Sequence, residues 1–92
     1  MKIRVGMAQT YRPRLPSKLP DFELTSECYQ NPETRWSSYH YRLRGTTHEV
    51  AMKILRSGHE RILVEFEDQM SDWILEMGYE DIFDDFLVEA VE

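Results

Sequence analysis

The hydrophobic pattern of this chain changes period once, near residue 46, and that change limits the folds open to it. Before it, apolar and polar residues alternate, as on a half-buried strand; after it, apolar residues recur every three or four positions, as on one face of a helix. Ile3, Val5 and Met7 alternate with Lys2, Arg4 and Gly6, which predicts a strand. Phe22, Leu24, Ser26 and Cys28 alternate with Glu23, Thr25 and Glu27, so residues 21–29 predict a second. Gln30-Asn31-Pro32-Glu33 has the composition of a turn. The run WSSYHYRLR predicts a third strand, with Tyr39, Tyr41 and Leu43 on one face and Trp36, Ser38, His40, Arg42 and Arg44 on the other. Between the first two strands lies YRPRLPSKLP, whose Pro13, Pro16 and Pro20 remove backbone donors and favour extended chain; an extended basic loop is expected there.

In the second half, Thr46-Thr47-His48-Glu49 fits a capping box, with Thr46 as N-cap and Glu49 reaching back to its amide. Val50, Ala51, Ile54 and Leu55 follow at helical spacing, and Gly58 can end that helix in a left-handed conformation. Over residues 60–77 two periods compete. Ile62, Val64 and Phe66 alternate, which keeps a strand over 61–67 open, but Leu63, Phe66, Met70, Trp73 and Met77 make a longer helical stripe. Helix is the reading adopted. Gly78 stops it, and residues 80–91 predict a last helix with Phe83, Phe86, Leu87, Ala90 and Val91 on one side and Asp81, Asp84, Asp85, Glu89 and Glu92 on the other. The expected fold is therefore α+β: an N-terminal three-stranded antiparallel sheet packed against two or three C-terminal helices. The 92 residues form a single domain, 1–92, too small for a second core.

Composition narrows the chemistry. The chain is 41% hydrophobic and 30% charged, which fits a folded protein. Its one cysteine, Cys28, excludes an intrachain disulfide and a CxxC pair. The opening MKIRVGMAQT lacks the apolar run of a signal peptide, and no stretch is apolar enough for a membrane span, so a reducing cytoplasm is expected. The net charge of −6 conceals a division: residues 1–46 hold eight Lys/Arg against four acids, a balance of +4, and residues 47–92 hold three against thirteen, a balance of −10.

No catalytic constellation stands out, and the chain is read as neither an enzyme nor a metal or cofactor protein. His48 and His59 are eleven apart with no metal-binding motif, and EDIFDD lacks the glycine and alternating ligands of a calcium loop. Cys28 falls on the apolar phase of its strand, where cysteine acts as a small hydrophobe, and only cross-strand pairing would bring His40 to it. Two charged surfaces are better candidates. Arg12, Arg14 and Lys18 on the proline-bearing loop, with Arg35, Arg42 and Arg44, form a candidate cationic patch; Trp36 and His40 beside them offer rings for stacking on unpaired bases. The alternatives are that Trp36 belongs to the core and that the cations pair with the chain's own acids. Asp81, Asp84, Asp85 and Glu89 form a candidate acidic face suited to a basic partner, or simply to solubility.

In size, acidity and single-domain make-up, from MKIRVGMAQTYRPRLPSKLP to the closing EDIFDDFLVEAVE, the chain resembles the small phage-encoded inhibitors of bacterial defence, in particular anti-CRISPR proteins that act on type I-F surveillance complexes. These inhibitors share no common motif, so no family site maps onto individual residues. The resemblance implies a stoichiometric, monomeric binder in the cytoplasm of an infected bacterium. It would dock on the CRISPR complex of protein subunits and guide RNA and block target DNA hybridisation. It implies no membrane and no small-molecule substrate. Two other functions remain open: a small nucleic-acid-binding phage regulator using the basic, aromatic half, and, least favoured, a small enzyme.

Overall fold

The computed structural model describes residues 1–8, 14–31 and 36–91. Three strands come first, β1 (Lys2–Ala8), β2 (Phe22–Asn31) and β3 (Trp36–Leu43), then the helix α1 (Thr47–Met77), a 3₁₀ helix (Glu80–Asp85) and a fourth strand, β4 (Phe86–Val91). The sheet order is β2-β3-β1-β4 with every neighbouring pair antiparallel. β3 and β4 thus run the same way on either side of β1, and chain that must cross between like-directed strands does so through a helix. The fold is α+β, as the change of period implies.

The three expected strands form, and the apolar phases of β1 and β3 face the core; in β2 the expected phase holds only through Leu24, because the irregularity after it sets Ser26 opposite His40 and Glu27 opposite Tyr39. Ile3, Val5 and Met7 from β1, Phe22 from β2 and Tyr39, Tyr41 and Leu43 from β3 are all buried. Against them α1 lays Ile62, Phe66, Met70 and Ile74, one residue per turn. Phe66 sits at the centre, its ring 5.1 Å from Phe22 in an edge-on contact and 5.0 Å from Tyr41. Residues 61–67 are helical, which settles the competition of periods in that run. The buried stripe, however, differs from the expected one by a small rotation. Leu63 and Trp73 flank the core and Met77 is half exposed, while Ile62 and Ile74 point into it.

Both glycines read as helix stops have positive φ. Gly78 caps α1 at φ 78° and ψ 29°, donating its N–H to the Ile74 and Leu75 carbonyls. Gly58, at φ 74° and ψ 164°, breaks the helical backbone, but a second helical piece begins directly after it. α1 is therefore two helices joined at a kink. Thr46 forms the capping box: its side chain accepts from the Glu49 N–H at 3.2 Å, and Glu49 accepts from the Thr46 N–H at 3.0 Å. Lys53 ties the two pieces together, lying 3.2 Å from Glu65 on the second and 3.6 Å from Asp21 on the loop before β2. Gln69 holds the same loop, accepting from the Asp21 N–H at 3.0 Å and donating to its carboxylate at 2.7 Å.

The expected last helix needs correction. Residues 80–91 are not a helix. The segment turns through the 3₁₀ helix and then pairs along β1, Phe86 opposite Met7 and Val91 opposite Lys2. FLVEAV satisfies either period locally; the backbone groups on the far edge of β1 decide between them, because they need partners. The described part of the proline-bearing loop contributes to the core. Leu15 and Leu19 are buried in the core, and the Tyr41 hydroxyl donates to the Pro16 carbonyl at 2.6 Å.

Candidate partner-binding surfaces

With α1, Leu15, Leu19 and Ile82 all in the one core, the opposite face of the sheet presents the polar phase of each strand. Register decides what those side chains meet. Arg42 stands opposite Glu23 and donates to its carboxylate at 2.6 Å. Arg4 stands opposite Glu89 and pairs with it. His40 stands opposite Ser26, Nδ1 to Oγ 3.1 Å, and its carbonyl accepts from Thr25 at 3.0 Å. These are cross-strand pairs of the kind that stabilise a sheet, so the arginines of this face have carboxylates of their own.

The expected cationic patch is correspondingly divided. His40 and Arg42 share the outer face. Arg14 pairs with Glu27 at 2.7 Å, beside β2. Arg44 turns away to the loop carbonyls of Leu19 and Pro20, at 3.4 and 3.3 Å. Lys18 is exposed and has no ion pair among the described residues. Arg12 and Arg35 lie outside the described residues, and of Trp36 only the backbone, in β3 opposite Ala8, is described. Glu23 and Glu27, which neutralise two of these arginines, belong to the basic half itself.

The expected acidic face is rearranged as well. Asp81, Asp84 and Asp85 fall in the 3₁₀ helix, Asp81 exposed and the side chains of the other two outside the description; Glu89 is on β4, committed to Arg4. They do not line one helix. The exposed carboxylates lie instead on α1: Glu60, Glu67, Asp68, Asp72 and Glu76, continued by Glu80 and Asp81 beyond its end. Among the described residues none of these seven has an ion pair. They spread over about 24 Å of helix, with Asp68, Asp72 and Glu76 one turn apart, a pattern visible in the sequence when residues 60–77 are read as helix. Val64 and Leu75, each more than half exposed, lie on the same helix surface. At its C-terminal end this surface borders a cleft lined by Lys18, Pro20, Arg44, Asp72, Trp73 and Glu76. There the Trp73 ring lies 5.8 Å from that of Tyr79.

The chain matches no known protein family, curated protein or solved structure. Its chemistry is read from its own surfaces. His48 and His59 are both exposed, and among the described residues no three His, Cys, Asp or Glu side chains are placed to hold a metal. Cys28 stands opposite Ser38, and His40 opposite Ser26, so the register sets these two residues diagonally apart. No described helix is long and apolar enough to cross a membrane. The Tyr41 phenol has its titration displaced. Burial, reinforced by Tyr39 and Glu27, raises its phenol far above the ordinary value and keeps it a hydrogen-bond donor.

Proposed function

We propose that the protein is a stoichiometric binding protein, without catalysis, that presents the carboxylate face of α1 to a basic surface of a larger assembly. One observation carries this reading. Arg4, Arg14 and Arg42 are committed to internal carboxylates, whereas Glu60, Glu67, Asp68, Asp72 and Glu76 are exposed on one helix and form no ion pair among the described residues. Exposed Arg61 stands beside Glu60 and Asp68, but the acids outnumber it, and a surface with a strong excess of one sign gains partner specificity and association rate from its field. The resemblance to type I-F anti-CRISPR proteins names the assembly to try first: the surveillance complex, whose DNA-binding channel would be the basic surface occupied.

In a gel-shift titration, the purified protein should abolish target DNA binding by that complex at near one-to-one stoichiometry. Asp68→Lys combined with Asp72→Lys should weaken inhibition about tenfold or more. Unchanged DNA affinity at saturating protein would overturn the reading. The second reading, a nucleic-acid binder, draws on His40 and Arg42 sharing the outer sheet face. It requires affinity for a free single strand that falls steeply with salt, and no retention of single-stranded RNA or DNA at about 50 mM salt would remove it.

A further inference from the structure

We infer that the protein self-associates through β4, the outward edge of Phe86–Val91 pairing antiparallel with the same edge of a second copy. The two edges of the sheet are treated differently. β2 carries two register irregularities, between Leu24 and Ser26 and between Tyr29 and Asn31. Its start is also covered by the loop before it: the backbone of Lys18 pairs antiparallel with that of Glu23, and the Leu24 N–H donates to the Ser17 carbonyl at 2.8 Å. Bulges and a covering loop are how proteins protect an edge from pairing with another chain. β4 has neither. It is regularly paired to β1 over Phe86–Val91, without a bulge or a proline. Its one charge, Glu89, is held by Arg4 on the strand behind it.

The occupant is a second copy because the strand is complementary to itself. An antiparallel pair related by a two-fold axis at Val88 sets Val88 against Val88, Phe86 against Ala90 and Leu87 against Glu89. On the core-facing side a large ring then meets a small methyl, and the reverse on the other side of the axis, while two valines meet at the centre. Ala90 shares the phase of the core-facing Phe86 and Val88 yet is exposed, so its side of the strand has room for that ring. On the outer side, Leu87, 63% exposed, gains the aliphatic stem of Glu89 as a neighbour. Moving the axis to Glu89 would set two carboxylates opposite each other, which disfavours that register. The product is one eight-stranded sheet with an α1 from each copy on its core side. A contact one strand long buries less than the roughly 1,200 Å² of a stable interface, so the dimer forms at high concentration.

Sedimentation over a rising concentration series should show the mass move from 11.0 kDa toward twice that value. Ala90→Lys, at a position exposed in the single chain, should weaken association at least tenfold while the thermal unfolding of the monomer is retained. In a Cys28→Ser background, oxidised Val88→Cys should cross-link to a dimer and Leu87→Cys should not, because only Val88 meets itself. A mass that stays at the single-chain value up to millimolar protein would overturn the inference. So would a dimer indifferent to Ala90→Lys, or one that cross-links at position 87 and not at 88.

Discussion

Phe66 touches both halves of the sequence pattern, since it comes from the helical half and packs on Phe22 and Tyr41 from the strand half. Removing a fully buried ring costs the lost burial and leaves a cavity that neighbours close only in part. Phe66→Ala should therefore lose about 3–5 kcal/mol in urea unfolding, a large share of the stability of any small domain. Tyr41 gives a pH-dependent counterpart. In the unfolded chain its phenol ionises near pH 10; in the fold, burial keeps the proton on well above that. Above pH 10 the native state thus holds a proton that the unfolded state has released, and stability falls by about 1.4 kcal/mol per pH unit from this group. Below pH 10 both states are protonated and the contribution is constant. The stability difference between wild type and Tyr41→Phe should shift against the wild type between pH 10 and 11, and curves that stay parallel would contradict it.

At the scale of elements, the kink in α1 is a property of one backbone angle pair. An added Cβ at Gly58 would meet nothing within 4 Å, so space does not require glycine there. The combination φ 74°, ψ 164° does, because residues with a side chain rarely adopt it. Gly58→Ala should destabilise by about 1–3 kcal/mol, measured by thermal unfolding, despite alanine's higher helix propensity. Gly58 was legible in the sequence as a break, and Thr46–Glu49 as a start, because both are local signals. The alternation that places Tyr39, Tyr41 and Leu43 on the core face was legible for the same reason. β4 was not. Phe86, Val88 and Ala90 alternate, yet Phe83, Phe86, Leu87 and Ala90 also fit a helix, and the partner that selects the strand is β1, at the other end of the sequence. The partners of the cations were hidden in the same way. Arg42 meets Glu23 only because β2 and β3 pair in one register, which composition does not encode.

At the scale of the molecule, the division of charge is a division between sheet and helix, modified by pairing. Arg42, Arg14 and Arg4 are balanced by Glu23, Glu27 and Glu89, and the exposed acids without an ion pair among the described residues sit on α1 and just beyond its end. Asp68, Asp72 and Glu76 follow one another at intervals of four, where like charges repel along a helix. Asp72→Lys converts two repulsions into two attractions, so it should raise stability by about 0.5–1 kcal/mol while lowering inhibitory potency in the DNA gel shift. That opposition separates a surface kept for a partner from one kept for folding. If the variant gains stability and inhibits as well as the parent, α1 is not the docking face. The pairing of β1 with β4 bears on how the chain reaches this state at all. The first and last described elements are sheet neighbours, so closing the sheet brings together segments at opposite ends of the sequence, at a high entropic cost of loop closure. During synthesis β1, β2 and β3 can assemble early, but one edge of β1 stays bare until β4 has been made and α1 has crossed the sheet.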